Sequence, residues 1–191
     1  MTARALWGVL YARLYAQRRL VVASWAGALI VGLLAPSGPG GAVLFCSLVG
    51  VGLALAQTPG LNPHLDRCEQ GAPLFGRELA RAKALVPCAA VGLAVFLYAI
   101  AQIARGAPDA ALTFVVALAA VVTATLIALS ATVRRGVSRA SYVLLAAAAS
   151  AGAYGLAVAA HSVLGELAYG AVIAFLAVRQ YGETLARYDP I

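Results

Sequence analysis

The chain has 191 residues, of which 63% are hydrophobic and only 11% are charged, and its formal net charge is +7. This composition excludes an ordinary soluble domain, in which about a quarter of the residues are charged. The apolar residues form long continuous runs, which favour membrane-spanning helices over the alternating strands of a barrel. The three cysteines are too scattered for a disulfide framework.

Residues 1–19 predict a short amphipathic helix that lies in the membrane interface. Its apolar and aromatic positions recur at helical spacing and are Leu6, Trp7, Leu10, Tyr11, Leu14 and Tyr15. The arginines of this segment are expected to face lipid headgroups, and the chain to turn into the membrane at Arg18 and Arg19. Such a helix either anchors the chain or acts as an elbow that sets the angle of the first span. A cleavable signal peptide is not expected, because the segment lacks a small-residue cleavage site.

Residues 20–191 predict an all-α, polytopic membrane domain with six transmembrane helices. Proline, glycine and arginine clusters interrupt the apolar runs and mark the connections between spans. The expected spans are 20–35, 41–57, 84–104, 110–130, 140–160 and 163–178. The last connection is short, since only residues 160–166 divide two apolar runs.

Basic residues predict the orientation of these spans, because they favour the cytoplasmic side of short loops. Thirteen of the fourteen lysines and arginines flank the termini or lie in the loops after spans two and four, which leaves Arg105 alone on the other side. Both termini are therefore expected in the cytoplasm, with the chain integral to the plasma (cytoplasmic) membrane. The asymmetry and the attraction to anionic lipid explain the positive charge, so nucleic acid is not expected as a partner.

The cytoplasmic connection between the second and third expected spans, residues 58–83, is the only long loop, and it is densely charged. Its charged residues are Asp66, Arg67, Glu69, Arg77, Glu78, Arg81 and Lys83. Asn62 or Asp66 can cap a short helix within it. Gly71 and Pro73 interrupt that helix, and a second helix starts near Gly76 and runs into the third span. A short cytoplasmic helix of this kind can dock in a groove of a soluble partner.

The run EQGAPLFGRELARAKAL, residues 69–85, resembles the cytoplasmic loop of permeases of the type 2 ABC exporter superfamily. In that family an acidic residue and a short coupling helix precede a proline, and a lysine follows about ten residues later, as Pro73 and Lys83 do here. The amphipathic N-terminal helix, the six spans, the cytoplasmic termini and the long loop after the second span are also similar. The shared topology covers the whole chain, whereas the motif covers only this loop.

The resemblance implies a coupling helix on which a separate ABC ATPase subunit docks. The residues that would make this contact are Asp66, Arg67, Glu69, Leu74, Phe75 and Arg77. It also implies a second permease chain, either an identical copy or a sister subunit, with the substrate path between the two. Because the chain has no GxxxxGK[ST] loop to hold phosphates, ATP and Mg²⁺ are expected only in the partner. The alternative is a solvated loop whose charges only enforce the topology.

The first five expected spans contain no charged residue. Intramembrane charges usually mark ion or proton pathways, so their scarcity favours an amphipathic or lipidic substrate over a proton-driven carrier. His161 and Glu166, where the fifth and sixth runs meet, are candidates for the substrate path or outer gate, with a solvated surface as the alternative. His64, Asp66 and Cys68 alternate in the loop but make a poor zinc site without a second cluster.

The favoured interpretation is a six-span permease subunit that exports an unidentified substrate and has no catalytic residue, cofactor or metal of its own. The family commonly places re-entrant helices between the fifth and sixth spans, and this chain has scarcely any residues there. The small haem-exporter-type permeases share a similar six-span plan. A membrane-embedded enzyme, or an accessory or assembly subunit of a membrane complex, is the alternative function.

Overall fold

A computed structural model describes residues 3–57, 76–108 and 110–133, together with residues 171, 172, 175, 176, 179 and 181. Within the three long ranges the chain is helical apart from short connections. The helices there are α1 (Ala3–Leu34), α2 (Pro39–Leu55), α3 (Gly76–Ala104) and α4 (Ala110–Val133). The six described residues nearer the C-terminus are helical as well. The predicted all-helical fold is therefore confirmed for the described part of the chain.

Three of these helices are long and apolar enough to cross a membrane, through the stretches Trp7–Leu34, Lys83–Ala104 and Thr113–Ser130. α2 has a shorter apolar stretch, Gly40–Leu55, which covers about 24 Å of a hydrocarbon core about 30 Å thick. The four helices correspond to the first four expected spans, and the three long ones indicate that the chain is integrated in a membrane. The fifth expected span lies outside the described residues, and the sixth lies mostly outside them.

α1 is a single helix that contains residues 3–19 of the expected interfacial segment and residues 20–34 of the first expected span. The expected turn at Arg18 and Arg19 is absent, and the helix continues through both residues. The physical reason is that α1 contains no proline, and its stretch 9–26 contains no glycine, so nothing there breaks the helix. One face of the N-terminal half is instead buried, through Val9, Arg13 and Gln17.

Two glycines with positive φ shape the connections between helices. Gly38, at φ 127°, ends the α1–α2 connection, and Pro39 takes the first position of α2, where its missing N–H leaves no bond unmade. Gly106, at φ 76°, forms the left-handed residue after the end of α3. The N–H of Ala107 then donates to the carbonyl of Gln102 at 3.0 Å, which completes a Schellman motif.

Short connections fold α2 back on α1 and α4 back on α3. Phe45 of α2 packs against Gly27 of α1. Phe114 of α4 meets Phe96 of α3 edge-on, with ring centroids 6.1 Å apart. Both pairs are therefore antiparallel hairpins.

α2 and α3, which the long loop joins, are antiparallel as well. Gly41 near the start of α2 lies against Tyr98 near the end of α3, whereas Gly50, further along α2, lies against Val91. The chain consequently runs up, down, up and down through the four helices, and α1 is parallel to α3. The starts of α1 and α3 share one end of the bundle, and the two short connections share the other.

Close packing between α2 and α4 holds the bundle together, and α1 packs mainly on α3. The core at the meeting of the helices includes the fully buried residues Val91, Val95, Tyr98 and Val121. Gly50 lets α2 approach α4 closely, because a Cβ at this position would overlap Oγ1 of Thr125. Small residues at such contacts allow the van der Waals packing that drives membrane helices together.

We expect Gly50→Leu to destabilise the bundle, because the new side chain has no room between α2 and α4. Overlap with Thr125 and Val91 must separate the helices or force strained rotamers, which costs about 1–3 kcal/mol in a packed core. The measurement is the free energy of unfolding of the purified chain in mixed micelles, titrated with dodecyl sulfate and followed by circular dichroism.

Gly52→Leu is the matched control, because Gly52 lies on the same helix and has open space around its Cβ position. This variant should unfold within about 0.5 kcal/mol of the unmodified chain, as exposed substitutions usually do. Equal destabilisation by the two substitutions would argue against the close α2–α4 contact.

Candidate functional site

The residues predicted to dock a partner ATPase lie almost entirely outside the described part of the chain. Those in the segment 58–75 are Asp66, Arg67, Glu69, Leu74 and Phe75. Arg77 belongs to the first turn of α3, where the backbone alone is described. The gate candidates His161 and Glu166 lie outside the described residues as well. The docking and gate assignments stay predictions, and the described helices show what frames the loop.

Both ends of the segment 58–75 leave the bundle where α1 and α3 begin, and we call this the basic end. α2 finishes there at Leu55, and the N–H of Gln57 donates to the carbonyl of Ala54 at 3.0 Å to close one more turn. α3 starts there at Gly76. The described basic residues of this part of the bundle include Arg13, Arg18, Arg19 and Lys83. The charged loop is therefore joined to the bundle at the end that carries these cations.

Two cations of the basic end are buried, although charged side chains are rarely buried unless they are paired. Arg13 is 3% exposed and Lys83 is 7% exposed. Both take part in interactions within the chain. Gln102 of α3 bonds to Gly32 of α1, which is 70 residues earlier in the chain. The two helices are parallel, so the same offset brings Lys83 of α3 level with Arg13 of α1. Two buried cations therefore lie at one level of the bundle.

Sequence reasoning assigned Arg13 to the lipid headgroups and missed its burial. The buried face of α1 follows a spacing of three and four residues through Val9, Arg13, Gln17, Val21, Ser24 and Ala28. This face is polar near the N-terminus, so hydrophobic periodicity does not find it. The aromatic row at residues 7, 11 and 15 was a usable signal for this buried face. Residues 9, 13 and 17 follow two positions later, so they lie about 200° around the helix, on the opposite side.

Polar side chains deeper in the bundle mostly bond to the backbone of their own helix. On α4, the hydroxyls of Thr123, Thr125 and Ser130 donate to the carbonyls four residues earlier, at 2.8, 2.7 and 2.9 Å. On α1, Ser24 donates to the carbonyl of Val21 at 2.7 Å. These bonds satisfy the hydroxyl donors where water is absent. Their role in the bundle is therefore structural.

At the opposite end, which we call the Arg105 end, one side chain of α3 and the side chain of the residue that follows α3 bond to carbonyls at the end of α1 and directly after it. Nε2 of Gln102 donates to the carbonyl oxygen of Gly32 at 2.8 Å, and Nη1 of Arg105 donates to that of Ala35. The last four carbonyls of a helix have no partner within that helix. α3 therefore caps the C-terminus of α1, and the guanidinium charge complements the negative end of the helix dipole.

Tyr98 lies one turn before Gln102 on α3 and is completely buried against Gly41 of α2. Its hydroxyl lies beside the side chain of Gln102. An unsatisfied buried polar atom costs about 1–3 kcal/mol. Because the side chains of Tyr98 and Gln102 are close enough to interact, each reduces this cost for the other at the Arg105 end of the bundle.

In the ranges that the structure describes, no three histidine, cysteine, aspartate or glutamate side chains are grouped closely enough to hold a metal ion. Cys46 of α2 and Cys88 of α3 are free thiols, the first buried and the second half-buried. The described helices therefore offer positive charge at the basic end and hydrogen-bonding groups at the Arg105 end.

Replacing Gln102 with leucine should loosen α1 from α3, because the carbonyl of Gly32 loses its donor while the side-chain volume stays similar. Hydrogen bonds between membrane helices contribute about 0.6 to 2 kcal/mol, and the unfolding free energy in mixed micelles should fall by this amount. Thr123→Val is the control, since it also removes one hydroxyl bond, but a bond within α4. A larger loss for Thr123→Val than for Gln102→Leu would refute the capping of α1 by α3.

Comparisons of the chain with protein-family models, with curated proteins and with solved structures find no match. The proposal for its function therefore rests on the loop motif, the apolar helices and the distribution of charge between the two ends of the bundle.

Proposed function

We propose that the chain is the membrane-spanning permease subunit of an ABC exporter and that a separate ATPase subunit docks on its cytoplasmic loop, residues 58–83. The observation that carries the proposal is the place of this charged loop, which joins the basic end of an apolar helical bundle. The same loop contains Pro73 and Lys83, whose spacing resembles the spacing in type 2 ABC exporters. The positive-inside rule puts this end in the cytoplasm, where an ATPase can reach it.

α3 provides a continuous helical connection from the loop into the bundle. Its apolar stretch begins at Lys83, but the helix itself begins at Gly76. At 1.5 Å per residue this extension is about 10 Å long, which exceeds a headgroup layer of about 5–8 Å on one side of the bilayer. The start of α3 can therefore carry the loop clear of the membrane to a soluble partner.

α1 and α3 would move together, because side-chain bonds join them at several levels. The indole Nε1 of Trp25 donates to the carbonyl of Ala90 at 2.9 Å. Gln102 and Arg105 bond to α1 further along, so the contacts extend over about 22 Å of α3. Coupling then works by differential contact, since an ATPase dimer with nucleotide holds the loop in one position and a dimer without nucleotide holds it in another.

The substrate path would lie between two permease chains rather than within the four described helices. The interior of this bundle is filled by side chains without exposed surface, among them Val91, Ala117 and Val121. Its exterior carries large apolar side chains, including Leu44, Leu48, Phe96 and Ile103. Such a surface suits an amphipathic or lipidic substrate, and export as the direction follows from the family resemblance. The second chain is an identical copy or a sister subunit.

A gentle detergent pull-down of the tagged chain from its native host, followed by mass spectrometry, tests the partner. The chain contains no GxxxxGK[ST] loop, so a stoichiometric co-eluting protein should carry one and should bring ATP and Mg²⁺ to the complex. Elution of the chain alone, or with membrane proteins that lack this loop, would instead favour an accessory subunit or a membrane-embedded enzyme.

Alanine replacement of Asp66, Arg67 and Glu69 together should uncouple ATP hydrolysis from transport while leaving expression intact. The reason is that these charges are expected to contact the ATPase, and truncation of buried charged pairs at interfaces typically costs about 2–5 kcal/mol. The measurements are ATPase activity of the complex in vesicles and the amount of ATPase subunit that the chain retains on a column.

Alanine replacement of Glu183, Arg187 and Asp189 is the matched control, because it also removes one arginine, one aspartate and one glutamate. This variant should retain the ATPase subunit as the unmodified chain does. Full retention by the loop variant, or equal loss in both variants, would count against docking at residues 66–69.

A further inference from the structure

The N-terminal half of α1 carries a row of exposed aromatic side chains. Trp7, Tyr11 and Tyr15 follow one another at a spacing of four residues and are 69%, 69% and 55% exposed. The rings of Tyr11 and Tyr15 stack, with centroids 6.3 Å apart and planes 24° apart. The guanidinium of Arg18 lies over the ring of Tyr15, 3.9 Å from its centroid. We call these four residues the aromatic ladder.

The ladder faces the surroundings of the bundle, since the opposite side of the same turns is buried. Val9, Arg13 and Gln17 form that buried side, and they lie about 200° around the helix from Trp7, Tyr11 and Tyr15. The ladder is therefore available to lipid, water or another molecule.

Arg18 extends along α1 toward its N-terminus, because its guanidinium reaches the ring of a residue three positions earlier. This direction leads away from residues 20–34 of α1, which carry no charge, and toward the basic end. An arginine near the end of a membrane helix keeps its charge among the headgroups in this way, while its stem stays in apolar surroundings. Tyrosine and tryptophan are enriched at the same level of a bilayer.

We propose that the aromatic ladder binds anionic phospholipid headgroups of the leaflet at the basic end. Arg18 and the neighbouring exposed Arg19 supply positive charge, and the tyrosine hydroxyls and the indole N–H supply hydrogen-bond donors. Lipid is the occupant because the exposed rings and cations lie on a helix whose continuation crosses the membrane. This proposal is independent of the transport function, since it needs only an integrated α1.

The aromatic ladder crosses the headgroup layer along the axis of α1 and does not lie parallel to the membrane surface. Trp7 and Tyr15 are about 12 Å apart along the axis of a helix. Trp7 lies about 9 Å outward of the level of Arg13 and Lys83, at the outer limit of the headgroups, and Tyr11 and Tyr15 lie closer to the hydrocarbon. A continuous helix can make this contact without the elbow that the sequence predicted.

Tryptophan quenching in reconstituted vesicles tests the position of the ladder. The chain has two tryptophans, so Trp25→Phe leaves Trp7 as the single reporter. The vesicles contain phosphatidylcholine and phosphatidylglycerol, with a nitroxide quencher either on the lipid headgroup or deep in the acyl chain. Trp7 should lose more fluorescence with the headgroup quencher than with the deep one.

Trp7→Phe is the matched control, because its remaining reporter, Trp25, lies about 27 Å further along α1 and should show the reverse order. If Trp25→Phe disturbs folding, the difference between the unmodified chain and Trp7→Phe isolates the quenching of Trp7. Insensitivity of Trp7 to both lipid-bound quenchers would overturn the proposal, and it is the result expected if water, a second copy of the chain or another protein covers the ladder.

Lipid selection tests the charge of the ladder separately. The chain is purified from equimolar phosphatidylglycerol and phosphatidylcholine, and native mass spectrometry measures the ratio of the two lipids that it retains. Arg18→Gln should lower this ratio about fivefold, the change expected for one cation near an anionic surface. Arg105→Gln, at the other end of the bundle, should leave the ratio nearly unchanged. An equal ratio in the two variants would contradict headgroup binding at the ladder.

Discussion

The need to satisfy backbone hydrogen bonds without water is the constraint on which this structure depends. Helices meet it along their length, but their ends leave carbonyls without partners. Residues 102–106, at the end of α3, complete the hydrogen bonding at the ends of two helices. Gly106 closes the end of α3 through a Schellman motif, while Gln102 and Arg105 donate to the carbonyls of Gly32 and Ala35 at the end of α1. One short stretch therefore completes both helix ends and fixes the register between the two helices.

Because α1 and α3 are joined at this end, we expect them to move together. A proline within α3 limits the stiffness of that helix. Pro87 lies within α3 and has no N–H to offer the carbonyl of Lys83, so one backbone bond is missing near the basic end. The bonds from Trp25, Gln102 and Arg105 hold the pair together beyond this point. Any bending of α3 at Pro87 would reduce the part of a movement at the loop that reaches the Arg105 end.

The long elements were predictable from the sequence, because an apolar run as long as a bilayer is thick has few alternatives to a helix. The expected spans 84–104 and 110–130 share a boundary with α3 and α4 at residues 104 and 110, where Gly106 and Pro108 interrupt the helices. The burial of Arg13 was not predictable in the same way, since it depends on which face of α1 meets α3. The predicted docking residues other than Arg77 lie outside the described part of the chain, and only the two ends of their loop are placed.

The cations of α3 mark two levels that are about one membrane apart. Lys83 and Arg105 are separated by about 33 Å along the helix axis, close to the hydrocarbon thickness of about 30 Å. α2 is shorter than this distance, ends at Leu55 and is followed by a buried Gln57, whereas α3 extends about 10 Å beyond Lys83 to Gly76. The loop therefore starts from a short helix that does not extend beyond the membrane and ends at a helix that does. A partner that docked on it, as proposed, would act with a longer lever on α3 than on α2, so α3 and the bonded α1 would be displaced first.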